Sequence, residues 1–259
     1  MTTITITQTF TSKTRNGGGG VPPLNTVAPV ISGSSAIGST LSSTTGTWTG
    51  TPTITYSYQW KRAGVDIVGE TNSTYVLVVA DYNIAITCEV TATNVAGSSS
   101  ATSNSITGTG VAPVNTVAPV ISGTPTVGQT LSSTTGTWTG NPTPTYTYQW
   151  KRNGSNIASA TSSTYILVQA DATFAITCAV TGTNVVGAAE ATSNSLTIFD
   201  ADAQAFITAA TITDTTQKNA VNQLTVDLKA ANIWTKMKAI YPMVGGTATT
   251  HKWNLKDPR

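Results

Sequence analysis

Two cysteines, one histidine and eleven carboxylates are the side chains from which this 259-residue chain could build reaction chemistry. A cysteine or serine nucleophile needs a base within hydrogen-bond reach, and His251, the sole imidazole, sits in a Thr-rich stretch with no Asp, Ser or Cys patterned beside it. A metal centre needs three or four ligands at suitable spacing, and no such cluster is present in the sequence. Asp214 and Asp257 stand alone, whereas glycoside hydrolysis requires an opposed pair of carboxylates. Gly17 to Gly20 could suggest a phosphate cradle, but Val21-Pro22-Pro23 comes next where a P-loop needs Gly-Lys-Ser/Thr. No catalytic, cofactor-binding or metal residue is predicted, and the chain reads as a non-enzyme without a cofactor.

The composition points the same way. Only 9% of residues are charged, against about 25% in ordinary soluble domains, while 53 Thr and 23 Ser fill the gap. A net charge of +2 leaves no basic footprint for nucleic acid. No apolar run approaches the roughly 18 residues of a membrane span. The first ten residues, MTTITITQTF, lack the basic and apolar regions of a secretory signal.

The elements that would position any site come from an internal repeat. PLNTVAPVISG from Pro23 returns as PVNTVAPVISG from Pro113, and TLSSTTGTWTG, YQWKR and AITC recur at the same 90-residue offset. Residues 23–108 and 113–198 share 57 of 86 positions. Each copy is a series of short Thr-, Val- and Tyr-rich segments punctuated by Gly, Pro and Asn every eight to twelve residues, which predicts strands and turns. Tyr56, Tyr58 and Trp60 alternate with Ser57 and Gln59, so all three aromatics are expected on one core-facing side of a strand. Lys61-Arg62 and Lys151-Arg152 come directly after the Trp in each copy and are read as solvated strand ends, the alternative being a weak anionic contact presented twice.

About 90 residues with some seven strands is the size of an immunoglobulin-like sandwich. The residues resemble that family: Trp60 and Trp150 stand in Tyr-x-Trp-Lys-Arg like its buried Trp, and Cys88 and Cys178 in Ile-Thr-Cys-x-Val-Thr like the second disulfide cysteine. The first cysteine is missing around Leu41 and Leu131, and Ile86 and Ile176 stand where the tyrosine corner would be. Trp60, Cys88, Trp150 and Cys178 are therefore expected as core markers, with the thiols acting as small buried hydrophobes.

The expected fold is mainly β: two tandem immunoglobulin-like sandwiches at 23–108 and 113–198, an N-terminal strand arm and hinge at 1–22, a linker at 109–112 and an α-rich C-terminal unit at 199–259. Ile4, Ile6 and Phe10 alternate with polar residues in the arm, either as a frayed terminus or as a strand that pairs with another chain's sheet edge. The short linker predicts that the sandwiches stack end to end as a rod segment. In the last unit a helix is expected from Asp202 to Ala210. A second, capped by Asp214 with Gln217, carries Val221, Leu224 and Leu228 on one face and directs Asn222, Asp227 and Lys229 elsewhere. A third short helix, capped by Asn232, would carry Trp234, Met237, Ile240 and Tyr241 up to Pro242. Val221, Leu224, Leu228, Trp234 and Met237 are the candidate oligomer or packing face, because a unit of this size is too small to stand alone.

LKAANIWTKMKAIYPMVGGTATTHKWNLKDPR resembles a segment of tailed-phage fibre and head-fibre proteins, its Ile-Tyr-Pro-x-Val-Gly-Gly and Asn-Leu-Lys-Asp-Pro-Arg signatures carrying the similarity. The resemblance implies a structural virion protein, a head fibre or capsid decoration, anchored to a capsid or auxiliary capsid protein by its N-terminal arm. It implies a homotrimer on the virion surface, assembled in the host cytoplasm, with a distal domain after Arg259 and weak adhesion to host-surface glycans. A tail fibre and a secreted bacterial surface adhesin are the alternatives.

Overall fold

The computed structural model describes residues 19–240 and Leu255. The anchor residues Ile4, Ile6 and Phe10 lie outside the described residues, as do Tyr241, His251 and Asp257. The chain divides into two compact units, Met1–Thr109 and Gly110–Arg259.

Ten short strands build the first unit. They are β1 (Val21–Val27), β2 (Ile31–Ser32), β3 (Thr40–Ser43), β4 (Thr47–Thr51), β5 (Thr55–Arg62), β6 (Val65–Asp66), β7 (Thr74–Val76), β8 (Ala85–Asn94), β9 (Gly97–Thr102) and β10 (Ile106–Thr107). One sheet runs β2-β3-β7, the other β6-β5-β8 with β9 and β10 both paired to β8, and β1 pairs with β4. Period-two burial is clearest in β8, where Ile86, Cys88, Val90 and Ala92 all point into the core and Thr or Glu separates them. Across the ladder Trp60 faces Cys88, and Leu41 faces Tyr75 on the opposite sheet. Ile31, Ile37 and Leu77 complete this core.

Gly46, between β3 and β4, has φ +74°, and a Cβ there would collide with the carbonyl of Val27. That close approach lets the end of β1 lie against the turn. Pro22 and Pro23 fall inside β1, so the expected hinge stops short of Val21, and the ladder with β4 is irregular where these prolines supply no N–H. Tyr56 corrects the reading of β5. It is exposed and tilted against Trp48 with ring centroids 6.4 Å apart, Tyr58 is half-buried, and Trp60 alone of the three is fully enclosed.

The second unit repeats the plan with β11 (Val111–Val117), β12 (Ile121–Ser122), β13 (Thr130–Ser133), β14 (Thr137–Asn141), β15 (Thr145–Arg152), β16 (Ser155–Asn156), β17 (Thr164–Ile166), β18 (Ala175–Asn184), β19 (Gly187–Thr192) and β20 (Leu196–Thr197). Both sandwiches have the two-sheet, Trp-centred immunoglobulin-like arrangement that the residues predict. The second continues into a small helical part: α1 (Ala201–Ala209), α2 (Thr215–Ala230) and a 3-10 turn at Trp234–Lys236.

Asp200 caps α1 by accepting a hydrogen bond from the Asp202 amide at 2.9 Å, and Asp214 caps α2 from the Gln217 amide at 2.8 Å. The third helix does not form as expected. Asn232 is left-handed at φ +56°, its amide donates to the Lys229 carbonyl, and the Ile233 amide donates to Leu228, which closes α2 in a Schellman motif. Asn232 therefore ends one helix instead of starting another. Only the 3-10 turn forms beyond it, and Met237 is then extended and exposed. Phe206, Ile207, Val221, Trp234, Ile240 and Leu255 form the core of this part, with Leu224 and Leu228 half-buried against it.

Candidate functional site

The residues predicted as core markers are brought together in pairs. Trp60 donates its indole N–H to the Asn72 carbonyl at 2.8 Å and stacks on Tyr75 at 5.4 Å, and Trp150 does the same with Ser162 and Tyr165 at 2.9 and 5.6 Å. Cys88 and Cys178 are wholly enclosed beneath them and free of any disulfide. Burial pushes both thiols above their ordinary value, which leaves little thiolate at neutral pH.

The Lys-Arg pairs are neither solvated strand ends nor open anion contacts. Arg62 Nε donates to Asp81 Oδ1 at 2.6 Å, and Asp81 is fully buried. Its other oxygen accepts from the Tyr75 hydroxyl at 2.8 Å and from the Val78 amide at 2.7 Å. Arg152, Asp171, Tyr165 and Val168 repeat the arrangement. Burial first, and then the hydrogen bond to the aspartate, push each tyrosine up to about 12. Lys61 is shared between Asp66 at 2.9 Å and Glu89 at 3.1 Å, while Lys151 meets Glu190 at 3.1 Å. Asp81 and Asp171 escaped the sequence reading. The available signal was an Asp held at the same repeat position, closing Leu-Val-x-Ala-Asp in both copies.

The most connected polar centre is Asp200, in the second unit, where the sandwich passes into α1. It is fully buried. Lys229 of α2 donates to both its oxygens at 2.7 and 2.8 Å, and Gln169 of the sandwich donates to Oδ2 at 2.8 Å. The Asp200 amide donates to Asn222 Oδ1 at 2.8 Å, and Asn222 Nδ2 returns to the Ile198 carbonyl at 2.9 Å. Asn222 and Lys229, expected to point away, are thus the side chains that fasten α2 to the sandwich. Burial alone would raise the Asp200 carboxyl, but the Lys229 ammonium and the Gln169 amide hold it below its ordinary value. Lys229, despite its own desolvation, is raised by Asp200 and Asp202 and lies 5.3 Å from the Trp234 ring centre. A helical part expected to need a neighbouring chain finds this support in its own.

Among the described residues no three His, Cys, Asp or Glu side chains are grouped to hold a metal, and no helix is long and apolar enough to cross a membrane. The hollows are shallow. One of about 360 Å³ runs along Ala158 to Ile166, and one of about 220 Å³ lies among Thr173, Thr197, Asn219, Asn222 and Gln223. Neither gathers a nucleophile with a base.

No family model matches the chain, and no curated protein matches it in sequence. Solved structures similar to it are tandem immunoglobulin domains. Domains 1–5 of Sidekick-1 match at 21% identity over 69% of this chain and 40% of theirs, with a TM-score of 0.35. The titin domains Z1Z2, solved with telethonin, match at 18% over 69% of this chain and 96% of theirs, with a TM-score of 0.32. Three N-terminal domains of the highly immunogenic outer capsid protein of bacteriophage RB49 match at 17% over 64% of this chain and 58% of theirs, with a TM-score of 0.27. The chain spans about 40% of the length of the Sidekick-1 fragment.

Proposed function

We propose that this chain is a non-enzymatic structural protein of a tailed-phage virion, a head fibre or capsid decoration that presents immunoglobulin-like modules at the particle surface. The observation that carries the reading is the join at Asp200. There a tandem of sandwiches ends in a purpose-built helical part whose sequence resembles the segment found in phage fibre proteins. The reading assigns the N-terminal arm, with Ile4, Ile6 and Phe10, to a capsid or auxiliary capsid protein, and it takes the assembled fibre as a homotrimer. Adhesion to host-surface glycans would rest on many weak contacts, multiplied by effective concentration on a many-copy particle. Deleting residues 1–20 and imaging purified particles tests the anchor. Loss of fibre density is the expected result, and density at normal occupancy would overturn it.

A further inference from the structure

We propose that the outer faces of β1 and β11 are the surfaces by which this chain associates with a second copy of itself. Val21, Leu24, Val27 and Val30 recur at three-residue steps along the first strip, and Val111 to Val120 repeat the steps in the second unit. All are at least half exposed, Leu24 at 63% and Val114 at 53%. Solvated valines scattered singly need no explanation, but a periodic row preserved in both repeats is a contiguous apolar patch.

Three features select a second copy as the occupant. A like-with-like contact brings identical charges together, and these strips have none to oppose it, because residues 16–60 and 90–150 contain no Asp, Glu, Lys, Arg or His. The row is duplicated, so a partner that fits one strip fits the other, and a second copy carries both. Two ten-residue strips also supply about the twenty residues that a standard interface takes from one partner, with the charge-poor centre such interfaces show. Pro22, Pro23 and Pro113 interrupt the backbone donors, so the contact is made by side chains rather than by extending a sheet.

Self-association of this kind is independent of the virion reading, and its test uses the 259-residue chain alone. Sedimentation equilibrium over a hundredfold concentration range should show reversible association, and L24D/V114D should weaken it at least about tenfold while leaving the circular dichroism spectrum and melting profile unchanged. I166D, on the exposed edge of β17, should associate as the native chain does. Under mild oxidation L24C/V114C should give covalent dimers in either relative orientation, while the enclosed Cys88 and Cys178 do not. A native chain that stays monomeric throughout overturns the proposal. So does L24D/V114D associating as tightly as the native chain, I166D weakening association equally, or a failure of L24C/V114C to cross-link.

Discussion

Gly110 and Asp200 occupy the same place in the two repeats, ninety residues apart, directly after backbone that is nearly superimposable in its bonding. In the first unit the Thr109 amide donates to Ser35 and its carbonyl accepts from Ile37. In the second, Phe199 makes the same pair of bonds with Pro125 and Val127. Only the side chains differ: Val79 becomes Gln169, Gly108 becomes Ile198, Thr109 becomes Phe199 and Gly110 becomes Asp200. The backbone frame is indifferent to what comes next. Four substitutions at one pole convert a plain end into a seat for helices, while the Arg–Asp–Tyr centre inside each sandwich is left as it was.

That contrast can be broken most sharply at Lys229. Lys229→Met leaves the buried Asp200 carboxylate without its cation and should cost about 3–5 kcal/mol, as the loss of one partner from an enclosed ion pair does. Hydrogen exchange on the full chain should show the loss in α1, α2 and the second sandwich and not in the first. Next come Arg62→Ala and Arg152→Ala, each stranding a fully buried aspartate, at about 3 kcal/mol apiece. Near-equal losses in denaturant melts would establish the shared centre, whereas a large inequality would break it. Gln169→Val removes a hydrogen bond to a charged acceptor and should cost about 1.5–3 kcal/mol, while Val79→Gln in the other copy should stay within about 0.5.

pH sharpens the same comparison. Asp200 is held below its ordinary value of 3.8, so its contribution is fully present above that pH and is lost as pH falls through the lower folded value. Acid should therefore loosen the helices, seen as lost helical circular dichroism, and K229M should remove most of that dependence. Tyr75 and Tyr165 are raised from 10 to about 12, so the stability of their neutral forms is complete below pH 10 and disappears as pH climbs toward 12. This loss should be common to both sandwiches, and Tyr75→Phe should abolish it in the first one alone.

Much of the fold was written in short-range patterns. The period-two run Ile86-Cys88-Val90 and the 90-residue repeat needed no tertiary knowledge, and neither did the Asp214 cap. The polar centres were not legible because their partners are remote. Asp81 lies nineteen residues from Arg62, and an aspartate closing a Val-Ala turn reads as solvated until the sheets are stacked. Asn222 was misread because a polar residue beside an apolar helical stripe ordinarily faces water. Here it answers the free amide of Asp200. Asn232 is ambiguous by chemistry, since asparagine serves both ends of a helix, and its positive φ decides the matter.

The Gly110–Asp200 equivalence also sets a grammar for lengthening the molecule. A repeat that closes on glycine leads into another sandwich, and one that closes on aspartate commits the chain to its helices. Further glycine-type repeats inserted ahead of residue 110 would extend the array and leave the terminal clasp untouched, whereas a duplicated aspartate-type repeat would place an unanswered carboxylate in its midst.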